Sequence, residues 1–194
     1  MESLDFSATR GLSKNLCQDL AKCEWVKRPQ NILIVGATGC GKTFLACALA
    51  HQACAHHFIS RYYRLPRLLH ELQLAEHSGT LAKLLQIIAK CDVLILDDWA
   101  LTPLTDKQRR YLLEILDDRY HHRTTIITSQ LPVKHWHEYI GEPTLADAIL
   151  DRIIHGAQQI HLRGESLRKK KGKLIDEGIH ASFDAEEPLT MAAE

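Results

Sequence analysis

Eight consecutive residues, Gly36-Ala37-Thr38-Gly39-Cys40-Gly41-Lys42-Thr43, carry the clearest chemistry in this chain. They match G-x-x-x-x-G-K-T in full. Glycines let a backbone turn tightly and aim several N–H groups at one anion. The lysine that follows them can reach β- and γ-phosphates, and the threonine hydroxyl is a hard oxygen ligand for Mg²⁺. The flanks agree with that use. Asn31-Ile32-Leu33-Ile34-Val35 is a short run of strand formers, and Phe44 to Ala50 reads as helix. A helix N-terminus adds a field that favours anions. All eight residues are therefore expected to cradle the phosphates of ATP, with Mg²⁺ at Thr43. A plain glycine turn into a core helix would not need agreement at all these positions.

Asp97-Asp98 is the second chemical pair. It follows Val93-Leu94-Ile95-Leu96, whose unbroken apolar character predicts a strand buried on both faces of a parallel sheet. Open α/β sheets bind ligands beyond the C-terminal ends of their strands. Asp97 is expected to hold Mg²⁺, directly or through water. Asp98 is the better placed to orient and polarise an attacking water. Gln130 follows another strand-like run, Thr124 to Thr128, and falls at the same edge. It could sense the γ-phosphate or share the water, or be an ordinary polar loop residue.

The intervening chain must supply the scaffold. Residues 1–28 form an introductory segment, with a helix over 14–22 capped by Ser13 and striped by Leu12, Leu16 and Leu20. That segment could cover one sheet edge, or pack Phe6 or Leu12 on an adenine base. The helix after the glycine loop is expected to run to about Ala55. Residues 58–63 read as a second strand, followed by a helix from Pro66 carrying Leu68, Leu69, Leu72 and Leu74. Helices are expected over 81–89 and 106–120, with a short one at Trp136 and Tyr139. A further helix, capped by Thr144 with Asp147 three residues on, precedes a fifth strand over 159–162.

Arg61, Arg64 and Arg67 recur every third residue, with Tyr62 and Tyr63 between them. Such a set can hold DNA phosphates and stack bases, or be a solvated junction. The block Arg168-Lys169-Lys170-Lys171 offers the same two readings. Arg152, between Asp151 and Ile153, is either a surface salt-bridge partner or a finger reaching a neighbouring subunit's nucleotide. The last twenty residues are acidic and aperiodic.

Composition sets the outer bounds. The 194 residues suit one α/β domain, and 45% hydrophobic content suffices for its core. Lys plus Arg and Asp plus Glu both number 24, so any nucleic-acid contact must come from local patches. No apolar run is long enough to span a membrane, and the N-terminus lacks a signal-like core. The six cysteines form no C-x-x-C pair, which points to small packing thiols under reducing, cytoplasmic conditions. Cys47 and Cys54, seven apart, are expected to fill space on one helical face.

From Leu4 to Arg168 the chain resembles the IstB-like ATP-binding proteins, ATPase helpers of insertion-sequence transposases and relatives of the helicase loader DnaC. GATGCGKTFLACALA, YYRLPRLLHEL, CDVLILDDWALTPLT, TTIITSQLP, PTLADAILDRIIH and HLRGESLR carry the resemblance. It implies a P-loop NTPase of the AAA+ type, an α/β/α sandwich around a five-stranded parallel sheet with an absent or vestigial lid. The ATPase core would occupy residues 29–168, with a flexible tail over 169–194. The resemblance makes Lys42, Asp98, Gln130 and Arg152 the hydrolytic set, with Thr43 and Asp97 at Mg²⁺. Arg168 would be a second nucleotide-sensing arginine. The partners implied are DNA, further copies of the chain joined through ATP, and a transposase. A helicase-loader-like ATPase, or an adaptor without turnover, is the alternative. Family members usually carry a longer segment ahead of the equivalent of Leu4, thought to hold partner contacts.

Overall fold

Alternating apolar runs and amphipathic stretches build a three-layer α/β/α sandwich. The computed structural model describes residues 11–164. Arg168, Lys169, Lys170, Lys171, Phe6 and the region of a lid lie outside them. Five strands, β1 (Ile32–Gly36), β2 (Ser60–Arg64), β3 (Val93–Trp99), β4 (Thr124–Ser129) and β5 (Gln158–Leu162), form one sheet in the order β2-β3-β4-β1-β5. Every pairing is parallel. All five C-terminal ends therefore lie along one edge.

Side-chain alternation explains the layers. On β1, Ile32 and Ile34 face one way, and Leu33 and Val35 the other. The first pair joins a core with Leu45, Ala46 and Leu49 of α3 (Lys42–Ala55) and with α1 (Lys14–Ala21) and α2 (Glu24–Lys27). The second pair joins the larger core under α4 (Leu65–His77), α5 (Leu81–Lys90), α6 (Asp106–Arg119), α7 (Trp136–Ile140) and α8 (Pro143–Ile154). Both faces of the three inner strands are covered, so β1, β3 and β4 are buried along almost their whole length.

The introductory segment packs on a face of the sheet, and Gly11 also lies against His161 O of the edge strand β5. Leu12, Cys17, Leu20, Trp25 and Val26 are buried beside α3. Ser13 caps α1 as expected, its hydroxyl accepting from Leu16 N–H at 3.1 Å. Trp25 locks the segment twice: its indole N–H donates to Leu20 O, and its own carbonyl accepts from Thr124 Oγ1.

Three local expectations need correction. The cap of α8 is Glu142, whose carboxylate accepts from Thr144 and Leu145 N–H, because Pro143 takes the first helical position and moves the cap back. Leu74 is 57% exposed, on the outer face of α4. Cys47 and Cys54 are exposed too, since α3 buries the face bearing Leu45, Leu49 and Ala53 instead.

Arg119 is fully buried yet meets no carboxylate among the described residues. Its guanidinium donates to the carbonyls of Ile88, Cys91 and Thr124 and to Thr125 Oγ1, joining the C-terminal end of α5 to the N-terminal ends of β3 and β4. Desolvation pushes its pKa down.

Candidate nucleotide site

The glycine loop sits at the switch point of the sheet. From β1 the chain leaves toward α3 on one face, and from the neighbouring β4 toward α7 and α8 on the other. A crevice opens where such exits diverge. It holds a cleft of about 260 Å³ lined by Lys42, Asp98, Trp99, Thr128, Gln130 and others.

The loop itself is shaped by positive φ. Gly39 stands at +80° and Gly41 at +100°, a region costly for residues with a Cβ. Gly36 needs its missing side chain for another reason. A Cβ there would stand 2.4 Å from Leu162 O and 2.8 Å from Cys40 Sγ. Cys40 is thus the buried inner wall of the loop. Lys42 Nζ donates inward to Gly36 O at 2.8 Å and Ala37 O at 2.9 Å. Its charge lies over the loop mouth.

Asp97 is 3% exposed and held by three hydroxyls. Thr43 Oγ1 lies 3.0 Å from both carboxylate oxygens, Thr128 donates to Oδ1, and Tyr62 donates to Oδ2 at 2.7 Å. The donor set is carboxylate and hydroxyl oxygen, hard ligands suited to Mg²⁺ shared with phosphates and water. The residues present therefore fit Mg²⁺ with a nucleoside triphosphate. Burial and the Asp97 bond raise the Tyr62 phenol, which stays protonated and donating.

Asp98 reaches the same edge through a backbone irregularity. Consecutive strand residues face opposite ways. The β3–β4 register shifts between Leu96 and Trp99, and Asp98 takes φ +62°. Such bulges re-aim side chains next to functional sites, and Asp tolerates the left-handed region better than most residues. The Asp98 carboxylate then meets Arg64, with Nε at 2.9 Å and the terminal nitrogen at 2.8 Å. That bond raises the pKa of Arg64. Gln130 joins the loop directly, its Oε1 accepting from Thr38 Oγ1 at 2.7 Å.

Glycine loop, acid pair and Gln130 thus converge. The eight loop residues, Asp97, Asp98 and Gln130 share one edge, and Thr128 and Tyr62 join them unforeseen. The sequence signal for Tyr62 was its place, two residues before Arg64 on a strand ending at the ligand edge.

The arginine trio does not form one patch. A spacing of three aligns residues on a helix, but Arg61 and Arg64 lie on a strand and face opposite ways. Arg64 turns to Asp98, Arg67 is paired with Glu71 on α4, and Arg61 is exposed. Arg152 is not free to project either. It pairs with Asp117 of α6, donates to Ala148 O at 2.7 Å, and lies 5.9 Å from the Tyr120 ring centroid. The partner is neither of the nearby aspartates, Asp147 and Asp151, because packing of α8 on α6 brings Asp117 closer. Its carbonyl accepts from Asn31, at the start of β1, whereas Lys42 follows that strand's far end. Five strand residues separate the two, roughly 16 Å.

The family model for IstB-like ATP-binding proteins matches residues 1–174. The chain belongs to the IstB-like family. A protein of Sinorhizobium fredii described as an insertion-sequence ATP-binding protein is 49% identical over 170 residues, covering 88% of this chain and 69% of its own length. A second from the same organism is 44% identical over 162 residues, covering 84% of this chain and 65% of its own length. The chain thus spans about two thirds of these IstB-like relatives. A crystal structure of the DnaC helicase loader shares the fold, with a TM-score of 0.64 at 22% identity, over 82% of this chain and 95% of that one. The IstB-like chain has the AAA+-type P-loop NTPase fold, with a central five-stranded parallel sheet between helical layers. Among its described residues, no helix is long and apolar enough to cross a membrane.

Proposed function

We propose that the chain binds Mg²⁺-ATP at this site, hydrolyses it, and serves as an ATP-dependent helper that assembles on DNA with a transposase. The observation that carries the reading is the meeting of Thr43 and Asp97. They are 54 positions apart in sequence, yet hydroxyl and carboxylate stand 3.0 Å apart at the mouth of a glycine loop. Relatives described as insertion-sequence ATP-binding proteins support the biological setting.

Mg²⁺ bound at Thr43 and Asp97 would supply charge neutralisation on the phosphates. The loop N–H groups and Lys42 bind and orient the triphosphate. Asp98 accepts a hydrogen bond from the attacking water and orients it, once Arg64 shares or releases its carboxylate. Gln130, tethered to Thr38, lies where it can read the γ-phosphate. Arg152 cannot reach the loop of its own chain, so its catalytic contact is with the nucleotide of a second copy. Residues 29–168 act as the ATPase core, with Arg168 as a further nucleotide sensor. Residues 1–28 cover the core. Arg61, Arg64, Arg67 and Lys169 to Lys171 contact DNA phosphates.

The direct test measures binding of a fluorescent ATP analogue and phosphate release, with and without DNA. Lys42→Ala is expected to abolish measurable analogue binding. Wild-type chain that neither binds the analogue nor releases phosphate overturns the proposal.

A further inference from the structure

The geometry points to Tyr62 as a positioning residue for the metal-associated acid: its phenol fixes one oxygen of Asp97 so that Asp97 and Thr43 present a ready Mg²⁺ site. This rests on the Mg²⁺-ATP reading above and extends it to a side chain outside the glycine loop and the acid pair.

Packing does not account for Tyr62. Its neighbour Tyr63 packs against the larger core, whereas Tyr62 is 43% exposed on the edge strand. Its one hydrogen bond among the described residues goes to Asp97 Oδ2, at 2.7 Å. The ladder sets the reach. Arg64 pairs with Asp97 across β2 and β3, and Tyr62 pairs with Ile95, two positions earlier. A side chain at Tyr62 must run along the strand by one alternate step to meet Asp97. A phenol spans that distance, and a serine or threonine hydroxyl does not. Strand parity then puts Tyr62 and Arg64 on one face, where each takes one acid.

Asp97 needs such a restraint. It is a buried carboxylate whose partners among the described residues are neutral hydroxyls. Thr128 holds Oδ1 and Tyr62 holds Oδ2, while Thr43 bridges both. Removing the phenol leaves the Oδ2 end to Thr43 alone, and Thr43 is itself a proposed metal ligand. The carboxylate can then rotate away from the Mg²⁺ position. Partners that orient a metal-ligating carboxylate typically contribute about 10- to 100-fold in metal affinity.

The experiment titrates Mg²⁺ against binding of a non-hydrolysable fluorescent ATP analogue, for wild type and Tyr62→Phe. The expected result is a roughly tenfold higher Mg²⁺ requirement in the variant, with analogue affinity in EDTA unchanged. Equal Mg²⁺ requirements, in chains that both bind the analogue, overturn the role of Tyr62 and leave the ATP reading standing. Wild type that binds the analogue without any help from Mg²⁺ also overturns it. Wild type that binds no analogue overturns both. If Tyr62→Phe melts well below wild type, the titration is repeated for both chains at a temperature where each is fully folded, and p-aminophenylalanine at position 62, which keeps the ring length and an N–H donor, is compared with Tyr62→Phe. A lower Mg²⁺ requirement with the amino ring supports the role, and equal requirements overturn it.

Discussion

Asp98 has two properties that make it a sharp test of the site. Its φ of +62° is one that asparagine also adopts readily, so Asp98→Asn keeps the bulge while removing the charge. Analogue binding is expected to stay near wild type, while turnover falls by about 10²-fold or more. Unchanged phosphate release by Asp98→Asn would remove the water-orienting role from that carboxylate. Arg64, its ion-pair partner, is 60% exposed, so solvent screens the pair and it contributes little to stability. Its proposed DNA contact is read in the salt dependence. Arg64→Glu is expected to weaken duplex binding and to flatten the log–log salt slope by about 0.9 for each phosphate that is no longer neutralised. Binding curves at several salt concentrations decide it, with identical slopes counting against the contact.

Among the elements, α8 exposes a pH-dependent joint. The Glu142 carboxyl is held below the usual glutamate range, chiefly by the Leu145 N–H and then by the Thr144 N–H of the helix N-terminus. A carboxyl whose folded pKa is depressed adds stability above its unfolded pKa, about 4.3, and loses it as pH falls through the folded value. Glu142→Ala is therefore expected to melt earlier than wild type at pH 7. The gap should shrink as pH drops below the ordinary glutamate range. Thermal melts across that range check it, and a gap independent of pH would mean the cap is not acting as a carboxylate. Arg119 ties α5, β3 and β4 in a different way. Arg119→Met keeps apolar bulk but leaves several buried carbonyls without a donor, each costing about 1–3 kcal/mol. A drop of at least about 3 kcal/mol is expected in urea unfolding. A smaller drop would show that water or shifted backbone satisfies those carbonyls.

For the assembled molecule, the position of Arg152 gives the decisive experiment. It lies at the N-terminal edge of the sheet, roughly 16 Å from the end of β1 that bears the glycine loop. One chain cannot bring both to the same nucleotide. If two copies do, Arg152→Ala and Lys42→Ala should each be nearly inactive alone. A mixture should recover part of the activity, because mixed interfaces then carry one intact loop and one intact finger. An arginine finger contributes roughly 10³- to 10⁵-fold in well-studied phosphoryl transfer. The Asp117 bond must break for this contact, so assembly also has to offset that pairing. Full activity of Arg152→Ala by itself would reduce the residue to a strut between α6 and α8.

The sequence alone determined the glycine loop, the buried strand ending in two acids, and the order of strands and helices. These are legible because they depend on local requirements: φ at glycines, side-chain period, and caps such as Ser13. Sequence motifs also carried the family. Tertiary structure decided what those residues touch. The bulge that turns Asp98 toward Arg64 arises from pairing between β3 and β4, which no window of sequence contains. Strand parity on β2 split an arginine trio that looked continuous and sent Tyr62 to Asp97. Packing of α8 on α6 gave Arg152 a partner 35 residues away in place of open solvent. In each case the deciding contact joins segments distant in the chain, and its energy depends on register and crossing geometry that residue type and spacing do not encode.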